Sequence, residues 1–575
     1  MEETTVTAAV NPAVTPELNA TRATDFFERH RELLDRAVRA AATREYWTPY
    51  PESPSPRNYG ETAGDAGKQA FESLRGADFP LQVAGADRMA GGERSPFGFD
   101  LHISYPRLNP EPLVAASGRA LGSWRHAGPR AWVGVSLEIL QRLNRASFEI
   151  AHAVQHTTGQ GFMMAFQAGG PHAQDRGLEA VAYAWQEMSR IPEQVTWEKP
   201  QGKQDPLRME KHFTIVPRGI ALVIGCSTFP TWNGYPGLFA SLATGNTVIV
   251  KPHPTAILPL AITVRIAREV LAEAGFDPDT VLLAPHALGD DTAQVLATHP
   301  RVKIVDFTGS KANGEWLEQH ARQAQVYTEK SGINTVIVDS VDDLKSMARN
   351  LAFSLTLYSG QMCTAPQNIY VPRDGIRTAQ GRATFDEVAG AIAAALQALT
   401  ADDAKAADLL GGIQSDATMA RIEEALGLGL PVLAPSRAVD HPQFAGARIR
   451  TPLLLRADVH QPAIQHEWFG PVAFVIETDD TRQSIALARD SAIEHGALTM
   501  SAYTTDAETA RAIRDASEEG GVALSLNLTG GVFVNQSASF SDFHGTGANP
   551  AANAALCDSA YVANRFRVVQ ARWHV

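Results

Sequence analysis

Hydrophobic positions along the chain fall into two textures. Between Asp25 and Ala42 they recur at helical spacing, and Leu137, Leu140 and Leu143 form a similar stripe in the stretch from Pro129 through Ala-His-Ala-Val-Gln-His-Thr-Thr-Gly. From Ile215 the apolar residues gather instead into short continuous runs rich in β-branched side chains: Ile220–Ile224, Thr247–Val250, Val302–Asp306 and Thr335–Val338. Amphipathic stretches separate these runs, notably Leu260 to Gly275, which closes on a glycine as helices commonly do. Strand–helix–strand alternation of this kind predicts buried parallel strands, and hence an α/β protein. Further helices are predicted near 345–356 and 385–399.

Breaks in the pattern mark the borders. The first twenty residues are rich in Pro, Thr and Ala and read as a loose arm. Four prolines between Trp47 and Tyr59 exclude regular structure there. Glu198 to Arg208 is polar, carries two prolines and predicts a protruding loop or hairpin; the last fifty residues are Gly/Ser/Asn-rich and then extended over Arg565–Arg572.

At 575 residues the chain exceeds one compact core. A net charge of −13 argues against nucleic acid as a partner, since phosphate contacts need clustered Lys and Arg. The most apolar helical stretch, Val388 to Leu399, falls short of the roughly 20 residues that span a bilayer. The acidic N-terminus lacks the pattern of a signal peptide. Three cysteines exclude a disulfide scaffold and suit a reducing compartment. A cytoplasmic protein without membrane contact is expected.

Several segments offer chemistry. Cys363, in Ser-Gly-Gln-Met-Cys-Thr-Ala, sits among small and polar residues after a helical stretch, where a thiol can be activated as a nucleophile or simply fill space. Cys226 directly follows a strand and reads as packing, and Cys557 as part of a helix turn. Glu329 lies between two strand-like runs, where a carboxylate can activate water or pair with Lys330. Phe307-Thr-Gly-Ser310 joins a strand to a helix start, which makes an anion site, although no G-x-G-x-x-G fingerprint occurs in the chain. Lys251 ends a buried strand, an odd place for a cation unless it reaches a ligand at the sheet's carboxyl edge. Glu467 and Phe469 flank a tryptophan in His-Glu-Trp-Phe-Gly-Pro, and Trp232, Tyr358 and Trp468 suit either an apolar tunnel or core. His152 and His156 stand one helical turn apart, but no third metal ligand accompanies them, so no metal is assigned.

Taken in order, Gly245–Pro252, Phe307–Ser310, Glu329, Gly360–Ala365 and Glu467–Pro471 resemble the aldehyde dehydrogenase superfamily from about Val216 to the C-terminus. The resemblance implies a Rossmann-type cofactor domain, an α/β catalytic domain and an oligomerisation arm. It implies these boundaries: a helical N-terminal region over 1–195, a protruding hairpin over 196–214, the NAD(P)-binding domain over 215–328, the catalytic domain over 329–526 and a C-terminal arm over 527–575. It also assigns roles: Cys363 as nucleophile, Glu329 as general base, Lys251 at the adenosine ribose, Gly309 and Ser310 at the pyrophosphate, Glu467 at the nicotinamide ribose and Phe469 beside it. Glu-Lys-Ser-Gly-Ile-Asn334, Gly-Gln-Met-Cys-Thr-Ala and Cys226-Ser-Thr-Phe-Pro-Thr-Trp-Asn233 are similar to the ring-opening members of phenylacetic acid degradation, the PaaN type.

Two departures carry consequences. Where most members place an oxyanion-donating asparagine before Phe-Pro, this chain has Thr228, with Asn233 five residues later as the alternative donor. Pro254 stands where NAD-preferring members often have a glutamate, and with His253 beside it the cofactor is expected to be NADP or NAD, NADP being favoured. The expected reaction is oxidation of an aldehyde, a ring-opened semialdehyde with CoA as an alternative part of the substrate, through a cysteine thiohemiacetal and thioester that water hydrolyses. The rival readings are a CoA-acylating dehydrogenase and a non-catalytic binding protein of the same fold. A homodimer or homotetramer is expected.

Overall fold

The computed structural model describes residues 25–86 and 88–575; the arm read over the first twenty residues lies outside them. Three sheets organise the chain. The first has five parallel strands in the order Gln325–Glu329, Val302–Thr308, Ile220–Ile224, Thr247–Lys251, Val281–Leu283. Each continuous apolar run is a strand, and Ile220–Ile224 and Thr247–Lys251 are buried at every position. This is why their sequence does not alternate: helices cover both faces of a parallel sheet. The helix Leu258–Glu273 buries eleven of its residues against this layer.

The second sheet has seven strands, in the order Val432–Ala434, Leu453–Asp458, Val472–Thr478, Asn368–Pro372, Thr335–Val338, Thr499–Tyr503, Ala523–Leu526. All neighbours are parallel except the edge strand Val432–Ala434, which pairs antiparallel. Its helices include Leu344–Thr356 and Phe385–Leu399, the latter opened by a reciprocal hydrogen-bonded cap between Thr384 and Glu387.

The polar stretch at 198–208 is the tip of an exposed hairpin, Gln194–Gln201 with Gln204–Pro217. The extended tail Phe566–His574 adds a third antiparallel strand to it. Two expectations need correction. One turn of helix, Pro56–Tyr59, forms within the proline-rich stretch, because Pro56 takes the first helical position, where no N–H is needed. Cys557 lies in irregular chain just before the helix Ser559–Ala563, not in a helix turn.

One interaction fastens the tail to the first sheet. Arg565, with no exposed surface, grips both oxygens of Asp306 at 2.6 and 2.8 Å and also donates to Ser241 Oγ at 2.7 Å. Tyr561 donates to the same carboxylate at 2.6 Å. Removing one member of such a pair strands the other charge in the interior. Arg565→Met should therefore cost about 3–5 kcal/mol, read as a lowered urea midpoint; an unchanged midpoint would show the pair to be dispensable.

Candidate active site

Parallel strands deliver their C-terminal ends to one edge, and four of the sequence signals sit there. The register pairs Thr308 with Glu329, Phe307 with Ile224, and Ile224 with Lys251. Glu329 and Lys251 are therefore the last residues of their strands, Gly309 follows its strand directly, and Cys226 follows Ile224 after one glycine. These residues open onto a cleft of about 470 Å³, within the range of small-molecule sites.

Cys363 reaches the cleft from the second sheet. It follows a tight turn in which Tyr358 and Ser359, both buried, hold φ values of 51° and 50°. Such a conformation persists only when its surroundings fix it. Here Ser359 Oγ donates to the carbonyls of Leu410 and Arg450, at 3.1 and 3.2 Å. Gly360 follows at φ 65°, where an added Cβ would stand 2.5 Å from the Gly470 carbonyl oxygen. Asn334 clamps the other side, its amide donating to the carbonyls of Cys363 and Ala365 at 2.8 and 2.9 Å.

Glu329 is fully enclosed, and its two oxygens have different company. Oε1 accepts from Asn233 Nδ2 at 3.1 Å and lies 2.9 Å from His544 Nε2. Oε2 has no hydrogen-bond partner among the described residues. Burial would raise this carboxyl, but the His544 imidazole by charge and hydrogen bond, with the Arg176 guanidinium and the Cys363 thiol, together outweigh it, so the pKa falls below the ordinary 4.5. The same His544 Nε2 stands 3.9 Å from Cys363 Sγ. Burial first, and then the neighbouring Glu329 carboxylate, push the Cys363 thiol well above its ordinary 9.0. In the free protein Cys363 is therefore a thiol, beside a carboxylate with one oxygen left without a hydrogen-bond partner among the described residues.

The two expected oxyanion donors are both occupied. The Asn233 amide serves Glu329, and the Thr228 hydroxyl shares a hydrogen bond with Cys226. The Cys226 thiol is itself pushed up to about 11 by burial.

The far end of the cleft has the character of a dinucleotide site. Gly309 has no room for a side chain, since a Cβ would meet the Phe307 ring at 2.7 Å. Ser310 caps the helix Lys311–His320, whose N-terminus faces the cleft. Lys251 has no carboxylate within ion-pair distance among the described residues, and burial brings it down to about 8. His253 and His286 are lowered by burial to about 4 and about 3, so both are neutral near pH 7, and His286 Nδ1 is buried without a partner. Glu467 is pushed up to about 7 by burial, against a hydrogen bond from Ser331, and Phe469 stands close by with its carbonyl held by Arg421 at 2.8 Å. An orphaned imidazole nitrogen, an unpaired ammonium and a helix start fit a ribose–pyrophosphate chain.

The structure thus brings Cys363, Glu329, Thr228, Asn233 and Lys251 to one cleft, with Gly309, Ser310, Glu467 and Phe469. The sequence reading missed His544, His286 and Arg176. The Arg176 guanidinium lies 3.7 Å over the Trp232 ring, its two terminal nitrogens buried and without hydrogen bonds, and Trp232 in turn packs edge-on against His544. A lone histidine in a Gly-rich stretch, Phe-His-Gly-Thr-Gly, was the only sequence signal for His544. Of the three aromatics left open between tunnel and core, Tyr358 and Trp468 are buried, whereas Trp232 is half-buried near Phe229. His152 and His156 stack on Phe71 and belong to no ligand cluster among the described residues.

The profile of the aldehyde dehydrogenase family matches residues 109–545. A crystal structure of an NAD-dependent aldehyde dehydrogenase from Burkholderia multivorans is 62% identical, with a TM-score of 0.95 over 96% of this chain and 99% of that one. Among curated proteins, the putative aldehyde dehydrogenase FUS7 of Gibberella fujikuroi is 27% identical over 58% of this chain, a match that spans just under two thirds (66%) of its own length. The 1-pyrroline-5-carboxylate dehydrogenase 1 of Halalkalibacterium halodurans is 25% identical over 66% of this chain and 71% of its own.

The raised thiol sets a measurable pH dependence. Alkylation of Cys363 by iodoacetamide in the free protein, followed by peptide mass spectrometry, should speed up about tenfold per pH unit with no plateau below about pH 9. Glu329→Gln removes one of the causes of the shift and should increase the rate at fixed pH. A plateau near neutrality in the unsubstituted protein would contradict the assignment.

Proposed function

The chain belongs to the aldehyde dehydrogenase family, and from that premise we propose that it oxidises an aldehyde to the carboxylic acid, with Cys363 as nucleophile and Glu329 as base. The observation that carries the proposal is the thiol of Cys363 and the carboxylate of Glu329 within 4.8 Å of each other, in a cleft also lined by Lys251, Gly309, Ser310 and Glu467.

The residues account for each step. Glu329 Oε2, free of other bonds, takes the thiol proton. The thiolate adds to the carbonyl carbon to give a thiohemiacetal. Asn233 or Thr228 would have to leave its present partner to donate to the oxyanion. Bound beside Gly309, Ser310, Lys251 and Glu467, a nicotinamide dinucleotide supplies the hydride acceptor. Oxidation leaves an acyl group on Cys363 as a thioester. Glu329 passes the thiol proton on to solvent, then draws a proton from water as the oxygen attacks the thioester carbon; the acid departs, and the released thiolate takes that proton back to restore the thiol. His544 holds Oε1 throughout, joined by Asn233 in the resting protein, so that the other oxygen stays aimed at its work.

NAD is the cofactor in this reading, because the Burkholderia relative is described as NAD-dependent. NADP, which Pro254 favoured, remains the comparison to run. The same reading keeps the division at 1–195, 196–214, 215–328, 329–526 and 527–575, and a homodimer or homotetramer through the exposed hairpin and tail strand. It also keeps a cytoplasmic location. Among the described residues no helix is long and apolar enough to cross a membrane. The finer substrate, a ring-opened semialdehyde of aromatic catabolism, rests on the motifs around Cys226, Glu329 and Cys363. Transfer of the acyl group to CoA is the alternative. The unpartnered Oε2 favours water as acceptor, since thiolysis needs no such base.

Replacing Cys363 by Ala should lower aldehyde oxidation by about a thousandfold or more. Glu329→Gln should retain a single burst of reduced cofactor, while its steady-state rate falls by about 10²–10⁴. These are read from nicotinamide absorbance with a panel of semialdehydes and each cofactor. An unaffected Cys363→Ala enzyme would refute the proposal, and product formation that requires CoA would put the acylating reaction in its place.

A further inference from the structure

His544 joins the thiol and the carboxylate in an arrangement with a second chemical use. Its Nε2 lies 3.9 Å from Cys363 Sγ and 2.9 Å from Glu329 Oε1, and the three ligand atoms all fall within 4.8 Å of one another. The side chains of His544 and Glu329 are 4% and 1% exposed. Tetrahedral zinc, with bonds of about 2.0–2.3 Å to nitrogen, oxygen and sulfur, sets its ligand atoms roughly 3.3–3.8 Å apart. The present separations of 2.9 and 3.9 Å from His544 Nε2, with all three atoms within 4.8 Å, bracket that spacing.

The donor set also selects the ion. A thiolate and an imidazole favour zinc over magnesium or calcium, which take all-oxygen sites. Thiolate and carboxylate together neutralise a divalent charge, which limits the cost of burying it. The high thiol pKa is no obstacle, because a coordinated thiol is deprotonated by the metal itself. Three protein ligands leave one tetrahedral position open, and Cys363 and Glu329 both face the cleft. No other such cluster occurs among the described residues.

We propose that Cys363, Glu329 and His544 form a binding site for zinc(II) that reversibly caps the catalytic thiol. On binding, the S–H bond of Cys363 breaks and its proton goes to solvent. Any proton on His544 Nε2 leaves or moves to Nδ1, and Zn–S, Zn–N and Zn–O bonds form with no change of oxidation state. Coordination draws charge from the sulfur and places the ion beside it at the cleft, so the capped thiolate adds to a carbonyl carbon far more slowly and zinc inhibits. That consequence rests on the proposed aldehyde oxidation, whereas the binding does not.

The test uses the full-length protein stripped of metal with a chelator, then dialysed to equilibrium against zinc chloride. One zinc per chain is expected, with Cys363 protected from iodoacetamide until chelator is restored. Cobalt(II) in place of zinc should give a thiolate-to-metal charge-transfer band that Cys363→Ser abolishes. His544→Asn, checked for folding by circular dichroism, should weaken zinc binding by at least about tenfold, the loss seen even for groups one step removed from a metal. Substoichiometric zinc, an unprotected thiol, or equal binding by His544→Asn would overturn the proposal. Metal-free protein that oxidises aldehydes at a rate indifferent to zinc would overturn the capping and leave the oxidation standing. One protected equivalent of zinc in a protein that oxidises no aldehyde would do the reverse.

Discussion

The grip of Arg565 on Asp306 is the contact on which the site's geometry hangs. Asp306 belongs to the strand Val302–Thr308, which ends at the cleft, and Arg565 introduces the tail strand that pairs with the exposed hairpin. A guanidinium without exposed surface is tolerable only because its fork meets a carboxylate, a serine hydroxyl and a backbone carbonyl at once. The segment just before it, which carries His544 and Cys557, is thereby held across the carboxyl edge of the first sheet. Backbone bonds tighten the hold: Lys330 N donates to the Ala551 carbonyl at 2.6 Å and Asn553 N to that of Thr328 at 3.1 Å.

That placement sets the electrostatics of the cleft. Burial works against the charge of the Glu329 carboxyl, yet its pKa lies below the ordinary value. His544 and the charge of Arg176 both act in its favour, and His544 also ties down one oxygen, leaving the other with no partner among the described residues. The negative charge so preserved keeps the adjacent Cys363 protonated in the resting protein. The strained turn at Tyr358 and Ser359 fits the same picture: backbone strain is kept where a side chain must be aimed, and is fixed by buried hydrogen bonds on both sides.

The departure at Thr228 gains a structural context. The asparagine that the loop lacks is not simply moved to Asn233, because that amide is engaged with Glu329. Its second N–H points to Thr308 Oγ1 at 3.4 Å, the longer of its two hydrogen bonds.

What the sequence determined by itself is what periodicity and chain order control. Unbroken β-branched runs specified buried parallel strands, and parallel strands oblige whatever follows them to meet at one edge. Lys251, Gly309, Ser310 and Glu329 were therefore legible as neighbours although nearly 80 residues separate the first from the last. Cys363 and Glu467 were legible only through their motifs, since they arrive from the other sheet. His544, His286 and Arg176 left almost no trace, because a lone polar residue has no period, and its environment is created by segments hundreds of positions away. The partner of Asn233, the unequal company of the two Glu329 oxygens and the protonation of Cys363 likewise belong to tertiary structure alone. Burial and the direction of hydrogen bonds decide them, and neither is written in the order of the residues.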